Sequence, residues 1–317
     1  MSAAWTQSGI WKLEGEEFHV KIRGMDQRTL FERREALKGS TRNGSASNAV
    51  VELAQPAFQT EDAKIKIYQA DALAFLRALP ANSVDIIVTD PAYSGMNQHL
   101  KLGSGRIIGK YSDKATSGKW FEEFHDTEEN YQDFLTECYR VLKNDRHIFV
   151  MFDSFSLLTL APLVRSIFEL KNLIVWDKIN IGMGHYFRRR HEFIVFASKG
   201  KRPLNARTMP DVWRIKRVSA CKYPTQKPVE LFEAMLTGSV EEDFLVCDPF
   251  VGSGSSAIAA MKHKCRFVGC DISDTALSAA SSRIELFNQA GIDNLQRKSM
   301  LVENENYKWL NGYGKLI

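Results

Sequence analysis

Three nearly continuous apolar runs of strand length in this chain each deliver an acid at their carboxyl end, and this repetition constrains the fold most. Val84–Thr89 leads to Asp90, Phe244–Cys247 to Asp248, and Phe267–Cys270 to Asp271. A run with little polar alternation belongs to a strand covered on both faces, as in parallel sheets flanked by helices. Helical patterns separate such runs: Ala72–Leu79, Tyr131–Leu142, Leu158–Leu170, Val229–Leu236, Ser256–Lys262 and Thr275–Asn288. Further strands are expected at Ile65–Tyr68, His147–Phe152, Leu173–Trp176 and Phe193–Ala197. The alternation predicts an α/β fold with a doubly wound, mostly parallel sheet. Ligands of such sheets sit beyond the carboxyl ends of the strands, so the three acids become candidate functional residues.

Around this pattern the 317-residue chain has room for one large domain and appendages. Residues 1–60 read as an N-terminal appendage, with helical character over Met25–Leu37 and a flexible linker over Gly39–Asn48. Residues 61–295 read as the main domain and 296–317 as a C-terminal tail. There is no apolar run long enough to span a membrane and no secretory leader pattern, so a cytoplasmic protein, bacterial or phage, is expected. Five cysteines without a C-x-x-C pair read as isolated thiols, and no metal site is expected. The net charge is only +4, but residues 178–222 hold twelve Lys/Arg against two acids, a local balance of +10. Such clustering is the footprint of a phosphate-binding face.

Each acid sits in a chemically distinct setting. After Asp248 comes Pro249-Phe250-Val-Gly252-Ser253-Gly254-Ser255, a glycine-rich turn opening a helix. The glycines permit close backbone approach, and the helix presents free N–H groups. The turn is neither G-x-G-x-x-G nor a phosphate loop. An acid there repels pyrophosphate and suits a cationic ligand such as an amino group. Asp271, 23 residues later, ends the next strand, where an acid can take two ribose hydroxyls. Asp90 begins Asp90-Pro91-Ala92-Tyr93. An exocyclic amine on a nucleobase is a poor nucleophile because its lone pair is delocalised. A carboxylate and the Pro91 carbonyl accepting both its protons favour a pyramidal nitrogen with an available lone pair, and Tyr93 can stack on an extruded base.

These segments together resemble the β class of amino-directed DNA methyltransferases. Asp90-Pro-Ala-Tyr93 is similar to their D-P-P-Y motif, and Asp248-Pro-Phe-Val-Gly-Ser-Gly-Ser is similar to D-P-F-x-G-S-G-T. Tyr223-Pro-Thr-Gln-Lys-Pro-Val-Glu-Leu231 is similar to H-P-T-Q-K-P-x-x-L. The resemblance spans about residues 64–290, with the catalytic motif before the cofactor motif. It implies a Rossmann-like, circularly permuted fold, S-adenosylmethionine as cofactor, duplex DNA as partner, and direct methyl transfer to an amino nitrogen. Asp90, Pro91 and Tyr93 would hold the base. Asp71, Ala72, Asp248, Pro249, Phe250, Gly252, Ser253, Gly254, Ser255, Asp271 and Ile272 would bind the cofactor, with Thr225, Gln226 and Lys227 near its carboxylate. The Asp in the catalytic motif favours N6 of adenine over N4 of cytosine, where this class usually carries Ser. Ala92 and Ser255 depart from the usual Pro and Thr.

The DNA-reading element is left open between residues 201–222, the 94–126 insertion and the N-terminal appendage. Candidate DNA contacts are Lys101, Arg106, Arg188, Arg189, Arg190, Arg207, Arg214 and Arg217. The Arg188–Arg190 triplet would grip phosphate or line a homodimer interface. Repulsion between like charges across a two-fold axis favours phosphate. Competing readings are a non-catalytic, cofactor-dependent DNA-binding regulator, an RNA or protein methyltransferase, and a nicotinamide oxidoreductase. Intact Asp90 and Asp248, the Pro-Thr-Gln-Lys-Pro segment and the missing G-x-G-x-x-G argue against these in turn.

Overall fold

The computed structural model describes residues 4–5, 11–13, 16–18, 55–91, 128–182, 186–206, 208–218, 223 and 226–291. The chain divides into two units, Met1–Ala46 and Ser47–Ile317. In the first, β1 (Ala4–Trp5), β2 (Trp11–Leu13) and β3 (Glu16–Phe18) form an antiparallel sheet. The expected helix over Met25–Leu37, the linker over Gly39–Asn48, the 94–126 insertion and the 296–317 tail lie outside the described residues.

The second unit is built on nine strands. They are β4 (Phe58–Gln59), β5 (Ile65–Gln69), β6 (Val84–Thr89), β7 (Leu142–Phe152), β8 (Glu169–Asp177), β9 (His191–Lys199), β10 (Val212–Arg214), β11 (Leu245–Asp248) and β12 (Arg266–Asp271). Their order across the sheet is β10-β8-β9-β7-β6-β11-β12-β5-β4. β9 runs antiparallel to both its neighbours and β4 antiparallel to β5, and the remaining pairs are parallel. This is the mostly parallel sheet that the sequence predicts. The helices are α1 (Ala72–Ala78), α2 (Glu128–Val141), α3 (Ser154–Ile167), α4 (Val229–Thr237), α5 (Ser255–Lys262) and α6 (Asp274–Ala290).

Local chemistry moves some boundaries from their expected places. α3 starts four residues before Leu158 because the Asp153 carboxylate accepts the Ser156 N–H at 2.7 Å and caps the first turn. α2 starts before Tyr131 because Glu128 and Glu129 suit the positive end of the helix. β4 and β10 were not anticipated, since strands of two and three residues carry too little periodicity to detect.

All six residues of β6 are buried, and the strand pairs in register with β11 through Val246–Ile86 and Cys247–Ile87. Successive side chains point to opposite faces. Ile86 and Val88 join the core cluster with Met235 of α4, Ile258 of α5 and Ile284 of α6. The four described cysteines, Cys138, Cys247, Cys265 and Cys270, are buried free thiols.

The one charge inside β6 explains how the strand tolerates it. Asp85 accepts Lys143 Nζ with both oxygens at 2.9 Å, Arg146 Nε at 3.3 Å and the Leu245 N–H at 3.0 Å, tying β6 to β7 and β11. Burial pushes its carboxyl up, but the Leu245 N–H and the two cations outweigh that and hold it below its ordinary value. The contribution to stability is therefore present above pH 3.8 and lost as pH falls through the lowered folded value. Asp85→Ala should destabilise the fold by about 3 kcal/mol, the lower end for breaking a buried pair, because both cations reach solvent. Urea unfolding checks this. A loss at pH 7 that persists undiminished at pH 2 would contradict it.

Candidate active site

Seven acids converge on one edge of the sheet. Asp90, Asp153, Asp177, Asp248 and Asp271 end or follow β6, β7, β8, β11 and β12, and Asp71 follows β5 by two residues. Glu192 arrives differently: β9 is reversed, so its beginning lies where the other strands end. β6 and β11 are neighbours, and from them the chain proceeds to opposite sides, β6 to β7 and β11 to β12. That is the switch point where open α/β sheets bind ligands, and it places Asp90 and Asp248 on adjacent strands.

Asp248 is 1% exposed. Its carboxylate accepts the Phe250 N–H at 2.9 Å and the Ser256 hydroxyl at 2.5 Å, and no cation is paired with it among the described residues. Burial pushes its pKa up to about 7 against those bonds. A buried acid held this way is a seat for a cationic group. Gly252 and Gly254 adopt φ of +51° and +82°, the left-handed region that other residues enter only with strain. The turn they shape donates the Gly252 N–H to Asp271 Oδ2 at 2.8 Å. Asp271 Oδ1 accepts the Ser273 N–H at 2.9 Å. Asp71 Oδ1 accepts the Leu73 and Ala74 N–H groups as the cap of α1, whose first residue, Ala72, is buried.

The Ser253 and Ser255 hydroxyls face into the fold. Arg283 of α6, 1% exposed, donates to Ser253 O at 3.0 Å, Ser253 Oγ at 3.3 Å and Ser255 Oγ at 2.8 Å. These bonds brace the glycine turn from its inner side. Sequence reasoning missed Arg283. The signal was present: an arginine continuing the buried positions Ala276, Leu277 and Ala280 toward Ile284 on one helix face.

Asp90, at the end of β6, meets Lys227. The ammonium donates to Asp90 Oδ2 at 2.5 Å and lies 3.7 Å from Glu192 Oε2, while Lys178 Nζ donates to Glu192 Oε1 at 2.9 Å. The sequence reading expects Lys227 near a cofactor carboxylate; its ammonium here bridges Asp90 and Glu192. Loss of hydration raises Asp90 while Lys227 opposes it. Burial would raise Glu192 too, but Lys227 and Lys178 outweigh that and lower it. Burial would lower Lys227, yet Asp90 and Glu192 raise it, so the ammonium stays charged. Gln226, just before Lys227, is 5% exposed, and neither its Oε1 nor its Nε2 has a hydrogen-bond partner among the described residues. An orphaned buried amide beside the site is a ready polar contact for a ligand. The Tyr223 hydroxyl lies close to the glycine turn, and burial together with Asp271 and Asp90 pushes its pKa up.

Pro91 is buried directly after Asp90, Phe250 packs against the Phe134 ring at 5.6 Å, and Ile272 exposes an apolar face beside Asp271. Tyr93, Thr225, Lys101, Arg106 and Arg207 lie outside the described residues. The Arg188–Arg190 triplet occupies the connection between β8 and β9 and is largely turned back on the protein. Arg190 forks onto Asp177 with two bonds of 2.6 Å, Arg188 Nε donates to Gly182 O at 2.7 Å, and Arg189 lies 3.8 Å from Asp153. Arg214 is 3.6 Å from Asp177, and Arg217 is exposed. Among the described residues no helix is long and apolar enough to cross a membrane, and no cluster of His, Cys, Asp or Glu is placed to hold a metal.

A family model described as DNA methylase matches residues 84–282. The type II methyltransferase M2.MboI of Moraxella bovis is 26% identical over 242 residues, covering 68% of this chain and 86% of the relative. Two solved structures share the fold. The PvuII DNA methyltransferase (cytosine-N4-specific) has a TM-score of 0.56 at 17% identity, covering 81% of this chain and 96% of that one. The M1.HpyAVI–SAM complex has a TM-score of 0.51 at 22% identity, covering 69% and 99%.

The raised pKa of Asp248 carries a pH signature. The fold keeps the acid neutral up to about pH 7, whereas the unfolded chain ionises it near 3.8. The folded state then binds the extra proton, so stability falls as pH rises between those values and levels off above. Asp248→Asn should melt at higher temperature than the parent at pH 8, with the two converging near pH 4. Melting curves across that range check it, and a constant difference at every pH would refute the assignment.

Proposed function

The chain belongs to the DNA methylase family, and from that premise we propose that it methylates N6 of adenine in duplex DNA. S-adenosylmethionine is the methyl donor. When bound it supplies an electrophilic methyl group on a sulfonium. The residues fit it: Asp248 offers a seat for the amino group, Asp271 can take ribose hydroxyls, Ile272 offers an apolar face to the adenine, and Gln226 has unused hydrogen-bonding capacity.

The observation that carries the reading is the adjacency of Asp90 and Asp248 on β6 and β11 at the switch point. It sets an acid for the nucleophile beside an acid for the cofactor. Lys227 favours the ionised form of Asp90, which accepts one proton of the adenine amino group. The Pro91 carbonyl accepts the other. The nitrogen would become pyramidal and its lone pair would take the methyl while the sulfonium sulfur keeps the electrons of the broken bond; the Asp90 charge would stabilise the positive charge that develops on nitrogen, and the surplus proton would leave by way of the Asp90 carboxylate. Tyr93 would stack on the extruded base. Adenine is preferred over cytosine because the catalytic motif begins with Asp rather than the Ser usual in the N4-cytosine enzymes that the segment resembles.

The test is sequencing of DNA from a host expressing the protein, read for N6-methyladenine and N4-methylcytosine. A single methylated adenine context is expected, and N4-methylcytosine would overturn the base assignment. Asp90→Ala should cut transfer by about 10²–10⁴-fold with cofactor affinity nearly intact. Asp271→Ala should do the reverse, weakening S-adenosylmethionine about tenfold to a hundredfold for a lost charge-assisted bond. Radiolabelled transfer and calorimetry separate the two. Folded Asp90→Ala protein with near-normal turnover would sink the catalytic role.

A further inference from the structure

We propose that Tyr186 and Phe187, in the connection between β8 and β9, enter the DNA at the target and fill the space left by the extruded base. The proposal rests on the reading of the protein as a base-extruding DNA methyltransferase and adds the element that does the displacing.

Both rings are almost wholly in solvent, at 94% and 104% exposure. Two adjacent aromatic side chains, each more exposed than any other large hydrophobic among the described residues, mark a binding surface. The stem beneath them is firmly built. The Lys178 N–H donates to Arg190 O at 2.9 Å and the Gly182 N–H to Arg189 O at 2.7 Å, carrying the β8–β9 pairing past the sheet. Arg188 and Arg190 tie back onto Gly182 and Asp177. Ile179, held at φ 68° with its N–H on Asp177 Oδ1, is a β-branched residue in the left-handed region, a strain that persists only where the surroundings impose it. The arginines thus brace the stem, and the aromatic pair stands exposed on the connection it carries.

The stem rises from Asp177 and His191, on the edge that carries Asp90, and Glu192 joins it to Asp90 through Lys227. The partner is set by charge. The four cations of residues 178–190 are partly offset, Lys178 by Glu192, Arg190 by Asp177 and Arg189 by Asp153 at 3.8 Å, and Arg188, bonded to Gly182 O, leaves the connection positive. A second copy of this chain would bring like charge against like, whereas the phosphate backbone brings the opposite sign. An apolar ring inserted between bases stacks without regard to sequence, so the pair would extrude the target and leave the choice of site to other residues.

The test uses a duplex bearing the methylated site found by sequencing, and the same duplex with the target base mispaired. The Tyr186→Ala/Phe187→Ala double variant should lose about 10- to 100-fold in transfer on the paired duplex and less than about threefold on the mispaired one, whose base is easier to extrude. With 2-aminopurine at the target, the fluorescence rise seen with the unaltered protein should be lost. An equal loss on both duplexes, no loss on the paired one, or conversion of a dimer to a monomer in sedimentation would overturn the proposal. Failure of the unaltered protein to methylate either duplex would overturn the underlying reading, and this one with it.

Discussion

One ammonium group allows the catalytic edge to exist. A sheet that gathers carboxylates at one end concentrates negative charge in poorly hydrated surroundings, where like charges repel strongly. Lys227 sits between Asp90 and Glu192, and Lys178 takes the far side of Glu192. The other acids are settled by other means. Asp177 meets Arg190 and Arg214, Asp271 takes backbone N–H groups, and Asp71 caps a helix. Asp248 is 1% exposed and has hydrogen bonds but no paired cation among the described residues, and its affinity for a proton rises. A cationic ligand would relieve that imbalance, so the electrostatics of the edge mark out its binding position.

The same lysine connects two parts of the site. Its backbone carbonyl accepts the Ser255 hydroxyl at 2.7 Å, and Ser255 also accepts from Arg283. A line of contacts therefore runs from the buried arginine of α6, through the glycine turn, to the ammonium that holds Asp90. The glycine turn and the Asp90 carboxylate are fixed by one framework, which gives the groups at this edge a common reference geometry.

The acids after β6, β11 and β12 were legible because buried parallel strands write themselves as apolar runs, and ligands lie where those runs end. Glu192 was not legible by that rule. It opens its strand, and only the reversal of β9 brings it to the ligand edge, a matter of pairing direction that residue order does not carry. Lys227 was found as part of a motif but given a different partner, since a lysine can reach any acid within its length and the sequence does not say which. Ser253 and Ser255 looked like ligand contacts because they stand in a ligand-binding turn. Their orientation depends on Arg283, some thirty residues away. The arginine triplet read as free positive charge, and Asp177 and Gly182 engage two of its members. Elements emerged from local pattern; partners across the sheet did not.

The pairing of β6 with β11 also bears on how the protein is made. Asp85 meets the Leu245 N–H across a sequence separation of 160 residues, and the neighbouring Asp90 and Asp248 are joined by a loop of similar size. Contacts this distant in the chain close late, because the entropy of the loop is lost before the contact stabilises anything. During synthesis the first half of the sheet leaves the ribosome with one edge of β6 bare, and that edge stays open until β11 emerges. The nascent chain thus exposes an unpaired apolar strand for about half of its translation, a period in which chaperone binding or aggregation competes with completion of the sheet.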